Sequence, residues 1–211
     1  MRIITLPLLT LTTLPALAQD RWQVCLGLDS QPEQSVSYRL DQTYARFEQE
    51  ARVAPSLQVG YRFLELAKSD LSLTAETQFK SRSDTRFLAA GDGPVQEVRG
   101  KSHQRYVAPG IQWTFHRFLD YGFGLQYRFA RLEAGTLKVN HHRTWANAYL
   151  GRGFTSRRGF RPFVGLRFDL ALNQTSAPGT LAELATPAGM ERMLRAMDPD
   201  AQTTFLFGVR F

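Results

Sequence analysis

The sequence predicts an all-β fold: a closed, antiparallel, up-and-down transmembrane barrel of about eight strands. Three observations carry this expectation. The segment Phe205-Leu206-Phe207-Gly208-Val209-Arg210-Phe211 alternates, with Phe205, Phe207, Val209 and Phe211 on one parity and Thr204, Gly208 and Arg210 on the other. One face suits lipid and the other a polar interior. About eight such segments recur, each near the roughly ten residues that a tilted spanning strand needs. The connections between them alternate short and long, as expected where hairpins turn tightly on one side of a membrane and loop freely on the other.

The amino terminus is set aside first. Arg2 gives a positive start, Ile3 to Leu14 a short apolar stretch, and Ala16-Leu17-Ala18 a small-residue cleavage site before Gln19. Residues 1–18 read as a signal peptide and 19–211 as the barrel domain. Pro7, Pro15 and the threonines hold the apolar run well below the roughly twenty residues of a membrane anchor. The only cysteine, Cys25, follows Gln23 and Val24 and no lipidation box. One cysteine forms no internal disulfide despite the oxidising compartment that export implies, so stability must come from hydrogen-bond closure and packing.

The strands then follow in order. Trp22, Val24, Leu26 and Leu28 alternate with Gln23, Cys25 and Gly27 in the first, and Leu57, Val59, Tyr61 and Phe63 with Gln58, Gly60 and Arg62 in the second. The third sets Leu71, Leu73, Ala75, Thr77 and Phe79 against Ser72, Thr74, Glu76, Gln78 and Lys80. Val107 to Phe115, Tyr121 to Phe129 and Val164 to Leu172 give the fourth, fifth and seventh, and Ala201 to Phe211 the eighth. The sixth, around Thr144 to Phe154, is weak: Trp145, Asn147, Tyr149 and Gly151 share a face whose direction the pattern leaves open. Short connections at Leu64–Asp70, His116–Asp120 and Thr155–Arg161 belong on the periplasmic side. Long loops at Asp29–Val53, Ser81–Arg105 and Asn173–Asp200 belong outside. With strands running up and down, Trp22, Phe63, Trp113, Phe115, Tyr121 and Phe211 gather at the periplasmic end of the lipid face as an aromatic girdle.

The rival is a secreted β-sandwich, whose outward face is polar and whose inner face is bulky and apolar. Here the second face is rich in Gly, Gln, Ser, Thr and charges, which fits the inside of a small wet barrel. Hydrophobic residues make up 43% and aromatics 12%, yet no apolar run after the leader spans a bilayer as a helix, which excludes a helical membrane protein. The formal net charge is +7, and loss of Arg2 with the leader lowers it by one. In an exported chain that surplus points to phosphorylated lipid headgroups and away from nucleic acid.

The expected lumen face carries Arg62, Glu76, Lys80, Arg128, Arg167, Asp169 and Arg210. Charges in a narrow barrel must pair, so Glu76 and Asp169 are expected to reach Arg128 and Arg167 and plug the pore; structural filling is the simpler role and a gate the sharper one. The loop Ser81–Arg105 offers Arg82, Arg86, Arg99, Lys101 and Arg105 as lipid-phosphate contacts, joined by Lys138, His141, His142 and Arg143 from the third loop; an ordinary solvated loop face is the plain alternative. His141 and His142 point to opposite sides of an extended chain and suit no metal site. Pro187 to Met197 reads as a helix with Met190, Met193, Leu194 and Met197 in a narrow apolar stripe, packing over the mouth or receiving an apolar ligand or partner.

The Ala16-Leu17-Ala18 leader, the strand run Gly165-Leu166-Arg167-Phe168 and the Phe205–Phe211 ending give a chain that resembles the small outer-membrane barrels of the OmpA-domain and opacity-protein type. The resemblance covers the chain from Gln19 and implies an architecture in the cell outer membrane, with no cofactor. It implies that Phe207, Val209 and Phe211 serve the barrel assembly machinery as a terminal recognition strand. Outer-membrane lipids, lipopolysaccharide among them, are the expected partners of a monomer. The expected role is structural or surface-interactive, with a narrow conduit for small solutes as the alternative and a lipid A-modifying enzyme behind it. The His-x-Ser pair of lipid A deacylase barrels is absent, since His103 precedes Gln104-Arg105 and His116 precedes Arg117-Phe118. The chain is read as no enzyme.

Overall fold

The computed structural model describes residues 21–40, 43–90, 94–154 and 160–211; the leader and its cleavage site lie outside the described residues. The strands are β1 (Trp22–Gln31), β2 (Gln34–Leu40), β3 (Thr43–Gln49), β4 (Arg52–Leu66), β5 (Ser69–Ala90), β6 (Gln96–Phe115), β7 (Asp120–Ala134), β8 (Leu137–Gly153), β9 (Arg161–Ala171) and β10 (Ala201–Arg210). Helices α1 (Leu181–Leu184) and α2 (Pro187–Ala196) lie between β9 and β10. Eight strands form an antiparallel ring in the order β5-β4-β1-β10-β9-β8-β7-β6, closed by the β5–β6 pairing. The first and last wall strands close the ring, with Val24 opposite Val209 and Leu26 opposite Phe207, and Phe211 exchanges both backbone bonds with Trp22 at 2.8 and 2.9 Å.

Alternation sets the two faces. Outside, Leu26, Leu73, Phe79, Ile111, Phe123, Leu125, Leu150, Phe168, Leu170, Phe205 and Phe207 stand exposed in an apolar belt. Inside, Asp29, Gln58, Glu76, Gln78, Gln126, Arg128, Arg167 and Thr204 are buried. This is a water-soluble protein turned inside out, the arrangement a closed barrel adopts in lipid. The lower rim gathers aromatic rings: Trp22 lies 4.9 Å from Tyr61, Trp113 5.0 Å from Phe115, and Phe115 5.2 Å from Tyr121. Trp145, Asn147 and Tyr149 of β8 face the lumen, which settles the sixth wall strand. Tyr149 lies flat across Gly165, where an added Cβ would fall 2.5 Å from its ring. Larger residues there would displace it.

The outer connections differ from the expectation of plain loops. Within Asp29–Val53, β2 and β3 form a hairpin, with Val36 opposite Phe47. The segment Ser81–Arg105 is mostly strand: β5 runs 22 residues and β6 20, about twice what a span requires. β3 adds to β5, Phe47 opposite Phe87, so β2, β3 and the upper halves of β5 and β6 make a four-stranded sheet above the barrel. The β7–β8 connection is a two-residue turn at Gly135 and Thr136, where Gly135 has φ +58°, as a tight hairpin twist demands.

One displacement has a clear cause. Gln78 pairs with Tyr106 but Ser81 with Gln104, so β5 holds one extra residue, a β-bulge. The bulge inverts the parity of everything above it. Lys80, expected in the lumen, therefore stands outside, with its side chain 56% exposed and its ammonium 3.2 Å from Glu133.

Candidate functional site

Inside the ring, the strands bring four of the expected lumen residues together. Arg167 binds Glu76 through both terminal nitrogens at 2.8 Å and donates from Nε to Asp169 at 3.2 Å. Arg128 donates to the same Asp169 at 2.8 Å. Its guanidinium lies between the rings of Tyr106, at 4.6 Å, and Trp145, at 4.0 Å. Such face contacts partly replace the water that a buried cation loses. Arg167 and Glu76 are each 1% exposed.

Sequence reasoning missed three partners of this network. Asp29 accepts from Ser56, Gln78 and Thr204 at 3.1, 2.9 and 2.9 Å. The Tyr106 hydroxyl lies 2.9 Å from both Asp29 and Glu76 and has one proton to donate. Gln202 accepts from Arg128 at 3.0 Å and from Gln31 at 2.8 Å. Beneath, Cys25, Tyr149, Phe163 and Leu206 form a buried apolar layer. Ions and apolar side chains together fill the described barrel across its middle.

Arg62 sits apart from that network. At the lower rim it faces Glu65 and Asp70, both at 3.3 Å. His116, in the β6–β7 turn, bonds Asp120 at 3.0 Å and Asp70 at 2.6 Å, and Arg210 donates to Asp120 at 2.7 Å. Hydrogen bonds to Asp120 and Asp70 hold the His116 imidazolium, raising its pKa to about 9 against the opposing effect of burial.

The upper mouth is closed by the segment between β9 and β10. Thr186 caps α2 and Pro187 occupies its first turn, a favourable start for a helix. Met193 and Met197 pack with Tyr38 and Ala45 of the β2–β3 hairpin, and Leu194 with Leu132 and Val139. Arg143 clamps the two ends of the segment: it donates to the Asn173 carbonyl at 2.8 and 3.0 Å, to the Asp198 and Pro199 carbonyls at 3.1 and 3.2 Å, and to the Asp200 carboxylate. Asp198 meets Gln104 at 2.9 Å and His141 at 3.3 Å. Arg143 and His141 are thus lumenal and grip no lipid. His142 points out, 5.3 Å from Phe129.

The expected phosphate-binding cations divide by position. Arg82 pairs with Asp84 at 3.8 Å. Arg86 and Arg99 share Glu97 at 3.2 and 2.6 Å. Lys101 and Arg105 make no ion pair among the described residues. Arg105 lies directly opposite Arg131 on β7, one outward row above Val107 and Phe129 of the belt. Lys80 and His103 complete a cavity of about 180 Å³ there, with Glu133 as its one carboxylate. Glu133 also holds Arg131, at 3.1 Å, so of the two facing arginines Arg105 alone has no carboxylate among the described residues; like charges opposite each other repel, and a further anion beside Arg105 removes the penalty.

No protein-family model matches the chain, and no curated protein matches it in sequence. Among solved structures it is similar to Ail, the attachment invasion locus protein of Yersinia pestis, at 11% identity over 91% of this chain and 97% of that one, with a TM-score of 0.42. It is also similar to the outer membrane protein OprG from Pseudomonas aeruginosa, at 9% identity over 92% and 97% of the two chains and a TM-score of 0.46. The outer membrane protease OmpT from Escherichia coli is 9% identical over 90% and 95%, with a TM-score of 0.40.

Proposed function

We propose that this protein is an exported, integral outer-membrane barrel with a structural role, seated among the phosphates of the outer leaflet by a cationic collar. The observation that carries this reading is the cluster of Lys80, Arg105 and Arg131 just above the apolar belt. Three cations surround one carboxylate, Glu133, and two of them oppose each other in register. Lipopolysaccharide phosphate is the anion available at that height, and charge-assisted bonds from Arg suit it. The filled lumen agrees with a wall rather than a conduit.

The test is lipid retention. In nanodiscs holding phosphorylated or dephosphorylated lipid A, native mass spectrometry should show the wild-type barrel keeping the phosphorylated form. The combined variant Lys80→Gln, Arg105→Gln, Arg131→Gln should lose that preference, and added salt should weaken it in the wild type. Equal retention by the two proteins would overturn the collar.

A second, surface-interaction reading rests on the sheet above the barrel. Among the described residues, β2 has an unpaired outer edge, and β6 from Gln96 to Lys101 lies beyond its pairing with β7. Open edges are places where a partner strand adds. Both readings are non-catalytic, and lipid A profiles of expressing and null cells should be identical.

A further inference from the structure

Parity places a cation of the lower rim on the lipid face. In β8, Trp145, Asn147 and Tyr149 point into the lumen, so Arg152, of the other parity, points out with Ala148 and Leu150. It lies opposite Val164 of β9, which lies opposite Phe207 of β10, so its row runs into the apolar belt. A guanidinium facing lipid must replace the water it loses, with an aromatic face or with an anion. The structure supplies the face: Arg152 lies over the ring of Phe118, 4.7 Å from its centre. Phe118, in the β6–β7 turn, is itself 78% exposed. An aromatic side chain so placed suits the headgroup level of a bilayer.

The acids of this rim are already engaged. Asp70 is taken by Arg62 and His116, Asp120 by His116 and Arg210, and Glu65 faces Arg62. Arg152 therefore has no carboxylate partner among the described residues, and the same holds for two exposed neighbours. Arg117 precedes Phe118 in the turn. Lys68 belongs to the adjoining β4–β5 turn, where its carbonyl accepts from the His116 amide at 2.9 Å. Leu66 and Leu119, at the same two connections, are exposed as well. Uncommitted cations thus share this stretch of rim with exposed apolar side chains, the combination that reaches headgroups while its carbon stays in the bilayer.

We propose that Arg152, steadied on Phe118, binds the phosphate of an anionic glycerophospholipid in the inner leaflet, with Arg117 and Lys68 adding charge to the same site. Stacking occupies the face of the guanidinium and leaves its edge N–H groups for phosphate oxygens. Three cations without a carboxylate attract a headgroup of net negative charge and repel the ammonium of a zwitterionic one. The site rests on the barrel being seated in a membrane with its short turns on the periplasmic side. It does not rest on the phosphate collar, which lies at the opposite rim.

The collar variant Lys80→Gln, Arg105→Gln, Arg131→Gln provides the background for the test, so that phosphates held at the outer rim do not count. Refolded into nanodiscs of phosphatidylglycerol and phosphatidylethanolamine in equal parts, it should retain phosphatidylglycerol preferentially in native mass spectrometry. Adding Arg152→Gln should cut that preference about fivefold, the contribution of one cation near a lipid surface. Adding Arg117→Gln and Lys68→Gln as well should bring the retained lipids to the bulk ratio. Lys138→Gln, an equal change of charge on the exposed β7–β8 hairpin, should leave the preference intact. Slower migration after boiling checks that each variant is folded. Bulk proportions in the collar variant itself, an undiminished preference without Arg152, Arg117 and Lys68, or an equal loss with Lys138→Gln would overturn the proposal.

Discussion

At the level of single residues, the buried ions carry the sharpest consequences. Removing one partner of a fully buried pair leaves the other charge uncompensated, at a cost of about 3–5 kcal/mol. Glu76→Ala takes from Arg167 the partner of both its terminal nitrogens and leaves it only Asp169, which Arg128 shares, so it should lower the urea midpoint far more than Leu73→Ala on the exposed belt; equal midpoints would contradict the ion network. His116 gives a pH dependence of definite sign. Its folded pKa of about 9 lies above the ordinary 6.5, so its contribution to stability is complete below about pH 6.5 and lost as pH rises through about 9. The difference in urea midpoint between wild type and His116→Ala should be largest near pH 6 and vanish above about pH 10. Parity made Glu76, Arg128, Arg167 and Asp169 legible in the sequence. Asp29 shares the parity of Cys25 and Gly27 and was hidden by ending its strand one step early. Lys80 was misplaced because a bulge leaves no mark in the pattern of residue types. Tyr106 is hidden because it precedes by one residue the expected start of its strand at Val107.

Among the elements, period-two alternation located each wall strand, but the outer segments obeyed different constraints. β5 and β6 above the belt carry charges on one face and mixed residues on the other, so Arg82, Arg86, Arg99 and Lys101 read as loop although cross-strand bonds hold them extended. The β7–β8 turn depends on Gly135, whose positive φ costs a side-chain-bearing residue about 1–3 kcal/mol. Space is open there, so Gly135→Val tests backbone conformation alone. It should lower stability by that amount, and Gly135→Asn by less, since Asn tolerates the left-handed region. The α2 stripe was legible from Met190, Met193, Leu194 and Met197 at helical spacing. The clamp that holds its segment down was not, because Arg143 is distant in sequence from Asn173 and Asp200. Arg143→Ala should leave the barrel folded yet speed tryptic cleavage after Arg192 and Arg195; unchanged cleavage would mean that helix packing alone secures the mouth.

For the whole molecule, the decisive property is that polar groups fill the inside while apolar groups cover the outside. A closed ring satisfies its backbone internally, and the lumen is stacked with the His116 cluster at the lower rim, the apolar layer around Phe163, the Arg167–Glu76–Asp169–Arg128 network at mid-height and Asp198 with Arg143 at the mouth. These layers come from eight different strands and the α2 segment, so no local stretch of sequence displays them together. Stacked in this way, the side chains are expected to plug the barrel. Single-channel recording of the refolded protein in a planar bilayer tests it directly. Wild type should show no steady conductance at moderate voltage. Stable, stepwise openings of uniform size in the wild type would contradict the plug and make the barrel a conduit.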